Sequence, residues 1–161
     1  MKKIIFGVML ALTFIACSDE EIVVEPKASV GKSLQSLELK DQFEQVKRIN
    51  DDTKKVIFAF SKDMGHLSND YFNTKEPTFL ADHNTIFIAD VSNAPSLIRS
   101  MFIMPGLKDF KHTVLVIDDE MVAASYRNKG KEEQLMVVSV DNFTIKSINY
   151  ISTETELAKE F

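Results

Sequence analysis

The stretch Lys55-Val-Ile-Phe-Ala-Phe-Ser-Lys-Asp-Met-Gly-His-Leu67 contains the pattern that decides the fold. Residues 56–60 are an uninterrupted run of β-branched, aromatic and small apolar residues, which is typical of a strand buried on both faces. Residues 61–65 form a short turn, and a helical pattern follows it. A buried strand that leads through a turn into a helix is a common place for function in α/β proteins. This turn holds no thiol, no glycine-rich phosphate cradle and no nucleophile–base pair.

The composition of the chain excludes several classes of protein. The chain has 161 residues, 45% hydrophobic and 27% charged, which predicts one globular domain. Its net charge of −5 argues against nucleic acid and against electrostatic docking on anionic lipid. The five scattered glycines form no nucleotide-binding fingerprint, so no nucleotide cofactor is expected. Cys17 is the only cysteine, which excludes an internal disulfide or a dithiol couple within one chain.

The first residues have the pattern of a signal peptide. Two lysines precede an apolar stretch, residues 4–16. As a helix, this stretch would span about 20 Å, less than the hydrocarbon core of a bilayer. We therefore assign residues 1–16 to a cleaved signal peptide, whose removal changes the net charge from −5 to −7 because it contains two lysines and no acid.

The end of this stretch, Phe14-Ile-Ala-Cys17, resembles the lipobox of bacterial lipoproteins, with Phe14 where leucine is usual. The resemblance implies that Cys17 is diacylated on its sulfur and becomes the first residue. The alternative is an ordinary secretory signal followed by a chance cysteine. Ser18-Asp-Glu-Glu21 resembles an acidic surface-export signal of some Bacteroidota lipoproteins, or is a solvated spacer. Residues 17–33 are predicted to be a lipid-anchored flexible tether, and residues 34–161 the domain.

Apolar runs and turn signals place the strands and helices of the domain. A helix is predicted after residue 61, a helical turn at 78–81, and a short helix or frayed tail at 153–161. A hairpin is predicted around Asp141-Asn142. Strands are predicted at residues 34–40, 46–49, 56–60, 85–89, 113–117, 121–126, 135–140 and 143–150.

A further helix is predicted after Ser92 or Asn93, with Pro95 in its first turn and Pro105-Gly106 at its end. Its apolar residues recur at a spacing that favours a face packed on the core rather than an exposed patch for a partner. The apolar face of the helix consists of Leu97, Ile98, Met101 and Phe102, and the choice between core and exposed patch concerns Met101, Phe102, Ile103, Met104 and Phe110.

This order of elements resembles the thioredoxin-like fold, in particular its peroxiredoxin and membrane-tethered thioredoxin branch. Leu37-Glu-Leu-Lys-Asp-Gln-Phe43 resembles the opening hairpin of that branch, and Thr113-Val-Leu-Val-Ile-Asp-Asp-Glu120 resembles a later strand and its acidic turn. The resemblance implies a three-layer α/β/α sandwich with a mixed central sheet and with β-hairpins at both ends of the domain.

The sequence departs from that family at three positions. The Cys-x-x-Cys motif falls at residues 64–67, where no cysteine occurs. Glu44 replaces an expected turn glycine, and His112 replaces the expected cis-proline. A cis bond before a non-proline residue costs about 2.5–4 kcal/mol, so we predict a trans bond before His112. Because thiol exchange and peroxide reduction need a thiolate, these departures predict a redox-inactive relative.

Two groups of side chains are candidates for a site. Met64, His66 and His112 offer thioether and imidazole ligands, which suit copper as Cu(I). The alternative is that Met64 packs at the start of the helix and that His66 caps it or lies exposed. Ser61 and Asp63 suit either proton relay or helix capping, and capping is favoured.

Three functions remain open. The first is a non-catalytic module that binds an unknown envelope protein and is held by its N-terminal lipid to the outer membrane, facing the periplasm or the cell surface. The second is a copper carrier that uses Met64, His66 and His112. The third is a thioredoxin- or peroxiredoxin-like oxidoreductase acting through an unlipidated Cys17. No catalytic residue is recognised in the domain.

Overall fold

The computed structural model describes residues 24–161. The predicted signal peptide, the predicted lipidation site Cys17 and the first part of the predicted tether lie outside the described residues. No helix within residues 24–161 is long and apolar enough to cross a membrane.

Seven strands form one mixed sheet in the order β2-β1-β5-β4-β3-β6-β7. The central strands β3, β4 and β5 are parallel, and all other pairs are antiparallel. The predicted hairpins are present at both ends, as β1–β2 and β6–β7. The strands are β1 Glu38–Asp41, β2 Val46–Arg48, β3 Lys55–Ala59, β4 Thr85–Asp90, β5 Leu115–Ile117, β6 Leu135–Asp141 and β7 Thr144–Ile151.

Helices cover both faces of the sheet, so the predicted three-layer α/β/α arrangement is confirmed. One apolar layer contains residues of α1, α2, α4 and α6, and the layer on the other face contains residues of α5. The α-helices are α1 Lys62–Asn73, α2 Phe79–Asp82, α3 Ser96–Ile98, α4 Met104–Lys108, α5 Glu120–Tyr126 and α6 Glu154–Ala158. A π-helical segment, Arg99–Ile103, joins α3 to α4 without a break.

The predicted strand at residues 121–126 is wrong, because these residues form α5. The carboxylate of Asp119 accepts a hydrogen bond from the N–H of Val122 at 3.0 Å and caps the helix. Ala123 and Tyr126, three residues apart, are buried on one side of it. A short apolar run fits both periodicities, and here the cap decides for the helix.

The predicted helix end at Pro105-Gly106 is also wrong, since the helix continues to Lys108. In the π-helical segment the N–H of Met104 donates to the carbonyl of Arg99 instead of the carbonyl four residues back. Pro105 then falls at the start of α4, where the change from π-helical to α-helical hydrogen bonding accommodates a residue that has no N–H.

The predicted flexible tether does not extend to residue 33. The N–H of Lys27 donates to the carbonyl of Ser125 at 2.7 Å, and Ala28 is buried in the apolar layer beneath α5. Gly31 and Lys32 exchange backbone hydrogen bonds of 2.9 Å with Ile145 of β7. Within the described residues, the N-terminal segment is therefore part of the folded domain.

The turn geometry tests three smaller predictions. Glu44 has φ 65°, so the position where the family has glycine does need the left-handed conformation. The β6–β7 turn is centred on Asn142 and Phe143, with φ values of 44° and 63°, one residue later than predicted. No cis peptide bond occurs in residues 24–161, which confirms the trans bond before His112.

Candidate functional site

A cavity of about 820 Å³ opens at the carboxyl ends of β3 and β4. It lies between the start of α1 and the helical segment 96–108, as expected for the switch region of an α/β sheet. Its walls are largely apolar, with a few charged groups at the rim. The lining includes Phe60, Ser61, Lys62, Gly65, His66, Asn69, Asp90, Ala94, Ile98, Phe102, Ile103, Leu107, Phe110, Arg127, Glu132 and Glu133.

The start of α1 forms one wall of the cavity. The hydroxyl of Ser61 accepts a hydrogen bond from the N–H of Met64, so Ser61 is the predicted N-cap. Asp63 lies exposed in the first turn, where the helix dipole favours a carboxylate. Met64 is buried against the sheet, whereas His66 faces the cavity. The structure therefore supports the capping interpretation of Ser61 and Asp63.

His112 lies behind this wall rather than in it. Its side chain is 2% exposed, and its Nε2 lies 3.0 Å from the Oδ1 of Asn69 on α1. The ring stacks on Phe110 and meets the edge of Phe72, with centroids 5.4 and 5.5 Å away. Its Nδ1 has no hydrogen-bond partner. Burial lowers the pKa of His112 to about 4, so this ring is neutral at neutral pH.

The predicted copper ligands occupy different surroundings. Met64 lies in the apolar layer, His66 lines the cavity, and His112 is enclosed by aromatic rings. Among residues 24–161, no group of three or more histidine, cysteine, aspartate or glutamate side chains is arranged to hold a metal ion. This finding does not test a site that includes a methionine, so the copper site stays a prediction.

The sequence analysis missed an ion-pair network at the end of β4. Arg127 contacts Asp90 at 2.5 Å and Glu120 at 3.0 Å, and the Asp90 side chain is 1% exposed. The N–H of Ser92 donates to Asp90, and the Ser92 hydroxyl, which has one proton to donate, lies 2.6 Å from Asp90 and 2.7 Å from Glu120. Burial alone would lower the pKa of Arg127, but hydrogen bonds to the two carboxylates raise it above its ordinary value. An aspartate at the end of a buried strand was the only signal in the sequence, and its partner lies 37 residues away.

The helical segment 96–108 forms the other wall, and most of its apolar face is not core. Leu97, Ile98, Met101 and Phe102 are 64%, 41%, 58% and 64% exposed. We call these four residues the apolar ridge. Ile98 and Phe102 also line the cavity, so the ridge begins at the cavity mouth.

The prediction that this face packs on the core is therefore wrong for the ridge. It is right in part for Ile103, Met104 and Phe110, which are partly buried against the sheet. The helical period showed correctly which residues share a face. It contained no information on whether another element covers that face.

The chemistry of the cavity suits noncovalent binding. The hydroxyl of Ser61 serves as a helix cap, and the carboxylate of Asp90 is paired with Arg127. Apolar walls with a few polar groups are typical of sites that bind a ligand by burial and orient it by hydrogen bonds. No residue of the lining is a cysteine, because Cys17 is the only one in the chain.

The comparisons with known proteins agree on the fold. No protein-family model and no curated protein matches the chain. It is similar in structure to the peroxidoxin BcpB from Mycobacterium tuberculosis, with a TM-score of 0.53 and 15% identity over 82% of this chain and 93% of that one. It is also similar to a putative thiol:disulfide interchange protein, DsbE, from Chlorobium tepidum, with a TM-score of 0.51 and 12% identity over 83% and 94%. At these identities the likeness shows the fold alone, and the chain has the thioredoxin-like fold that its order of elements predicted.

Proposed function

We propose that this protein is a lipid-anchored binding module of the bacterial cell envelope, whose thioredoxin-like domain takes a ligand in the cavity and performs no thiol chemistry. The observation that carries the proposal is the open, largely apolar cavity of about 820 Å³, whose lining contains no cysteine. A noncovalent site needs only apolar area and a few polar groups, which this cavity offers.

The absence of a thiol from the domain argues against the redox chemistry of the proteins it resembles. Thiol–disulfide exchange begins with attack by a thiolate, and no other side chain supplies that reaction. Cys17 is not among the described residues, 24–161. A thiol-based redox role would therefore need an unlipidated Cys17, the only cysteine of the chain.

The lipobox-like sequence at residues 14–17 supports anchoring through Cys17. Diacylation supplies two acyl chains, and two chains are enough for stable attachment to a membrane. Seven residue steps separate Cys17 from Val24, so the folded domain begins at most about 25 Å from the anchor. We place the protein on the outer membrane, facing the periplasm, with surface exposure as the alternative.

Mass spectrometry of the mature N-terminus tests the anchor. We expect a chain that begins at Cys17 and has the added mass of a diacylglyceryl group, and we expect Cys17→Ser to release the protein from the membrane fraction. A free Cys17 thiol in the mature protein would contradict the anchor and would favour the oxidoreductase alternative.

Binding of the fluorescent dye 8-anilinonaphthalene-1-sulfonate, an anion whose aromatic rings bind apolar sites, tests the cavity. We expect saturable binding to the full chain that Ala94→Trp weakens at least about tenfold by filling the cavity, a loss of about 1.4 kcal/mol. Ala158→Trp, at an exposed position on α6, is the matched control and should leave binding unchanged. Equal binding by both variants would contradict a ligand site in the cavity.

Assays of insulin reduction and peroxide consumption test the absence of thiol chemistry. We expect no turnover by the mature protein above the rate without protein. Turnover that persists in Cys17→Ser and disappears after one substitution in the cavity would overturn the binding-module proposal in favour of an enzyme.

A further inference from the structure

The apolar ridge is an unusual surface for the described part of the chain. Single exposed apolar side chains are common, but a contiguous group marks a contact with a partner or a membrane. Leu97, Ile98, Met101 and Phe102 are four such side chains on one short helical segment. They lie beside the cavity mouth, and nothing in residues 24–161 covers them.

The π-helical segment helps to form this ridge. A π-helix has more residues per turn than an α-helix, so residues four apart, such as Leu97 and Met101 or Ile98 and Phe102, stay closer to one line along the axis. Such π-helical segments are rare and are frequent at functional sites. The backbone here therefore presents two adjacent apolar rows to the outside.

The charges of the segment differ from those of the whole chain. The chain has 24 acidic and 19 basic side chains, yet residues 96–108 contain Arg99 and Lys108 and no acid. Exposed phenylalanine, leucine, isoleucine and methionine together with basic residues are typical of helices that lie in a membrane interface. On the segment itself no carboxylate opposes contact with anionic lipid, although Glu132 and Glu133 line the cavity together with Ile98 and Phe102.

The ridge is connected to the N-terminal segment by a short series of contacts. Lys27 donates its N–H to the last turn of α5, and Arg127 follows that turn and contacts Glu120. The hydroxyl of Ser92 lies 2.7 Å from Glu120, and the carbonyl of Ser92 accepts from Arg99 at 3.0 Å. Arg99 lies within the ridge segment. The chain therefore enters the folded domain near the carboxyl end of β4, where the ridge also lies, although α5 and the ridge segment pack on opposite faces of the sheet.

We propose that the apolar ridge is a second membrane contact, which inserts Leu97, Met101 and Phe102 into the surface of the bilayer that holds the lipid anchor. The inference rests on the proposed anchoring at Cys17, because the seven residue steps from Cys17 to Val24 hold the start of the described domain within about 25 Å of that bilayer. The lipid surface is favoured over a protein partner by the lack of acidic residues on the segment and by its connection to the N-terminal segment.

Tryptophan fluorescence tests this contact, because the chain contains no tryptophan. Phe102→Trp places a single probe on the ridge, and Met101→Trp repeats the test at a second exposed position. His83→Trp is the matched control, because His83 is exposed just before β4 begins, at the opposite end of the strand from the ridge. Each full-length protein is lipidated in cells, reconstituted into vesicles of phosphatidylethanolamine with a minority of phosphatidylglycerol, and measured with and without brominated acyl chains.

We expect brominated lipid to quench most of the emission at positions 101 and 102 and little of the emission at position 83. Flotation of the vesicles and the mass of the N-terminus report the anchor separately. If the protein floats with the vesicles but the ridge probes are not quenched, the membrane contact is overturned and the ridge is left for a protein partner. If the N-terminus has no lipid, the anchor fails, and quenching on addition of vesicles to the unanchored protein still decides whether the ridge inserts.

Discussion

The helices that follow β3 and β4 form opposite walls of one cavity, but they are built in different ways. The helix after β3, α1, is capped by Ser61 and buries Met64, Tyr71 and Phe72. The segment after β4 has no side-chain cap at Pro95, includes a π-helical turn and has no buried residue before Leu107. One wall is part of the core, whereas the other rests on the sheet by its C-terminal end and presents its apolar residues outward.

Because of this difference, we expect substitutions in the two walls of the cavity to have different effects. Substitutions in α1 should act mainly on folding, because its side chains fill the apolar layer. Substitutions on the ridge should act mainly on binding to whatever the ridge contacts. Its side chains are already largely exposed in the folded protein, so they contribute little to the free energy of unfolding. Three measurements of stability test this contrast, from the largest expected effect to the smallest.

Phe72→Ala should lower the free energy of unfolding by about 3–5 kcal/mol, because it leaves a cavity in a buried layer. Phe72 is fully buried and packs against Phe87 and His112. Phe102→Ala, on the opposite wall, should change the free energy of unfolding by less than about 0.5 kcal/mol. Urea unfolding of both variants gives the two values from their midpoints. A loss at Phe102 as large as that at Phe72 would mean that the ridge belongs to the core.

The stability of the α1 wall should depend on pH through His112. The folded protein binds this proton at a pKa of about 4, and the unfolded chain binds it at the ordinary 6.5. Between these values the unfolded state holds more protons, so stability is full above pH 6.5 and falls as the pH is lowered to about 4. The expected loss is about 3 kcal/mol, since each pKa unit contributes about 1.4 kcal/mol.

Urea unfolding at several pH values measures this effect, with His112→Phe as the control. The phenylalanine keeps a ring against Phe110 but cannot titrate, so the variant should show no such fall between pH 6.5 and 4.5. It also leaves Asn69 without its partner, which lowers stability equally at every pH in this range. An unchanged pH profile in the variant would show that His112 is not the group responsible.

Ser61→Ala should cost about 1 kcal/mol, because it removes the hydrogen bond that caps α1. Asn93→Ala tests the other wall, where Asn93 was a predicted cap. The structure places the N-cap of α3 at Pro95 without a side-chain hydrogen bond, so this change should have almost no effect on stability. Thermal unfolding of the two variants measures both. Equal losses would remove the contrast between a capped and an uncapped helix.

Local sequence patterns predicted the two central strands, because residues 56–60 and 85–89 are runs rich in β-branched and aromatic residues, which favour a strand. The helical spacing after residue 61 predicted α1. The same reasoning for strands failed at residues 121–126, where Val122 is the only β-branched residue and the cap at Asp119 decided the outcome. The ridge was wrongly predicted to be buried, because the helical period shows which residues share a face but not whether another element covers that face. The role of Arg127 was not predicted, because a single sequence does not show which distant residues form ion pairs.

The hydrogen bonds of the N-terminal segment determine how a mechanical load would enter the domain. If the protein is held at Cys17, a pull on the anchor is resisted first by the bond from Lys27 to Ser125 and then by the paired bonds of Gly31 and Lys32 with Ile145. None of these residues lines the cavity. Tension would therefore enter through α5 and the edge strand β7, and through α5 it would reach Arg127, which follows that helix and lines the cavity.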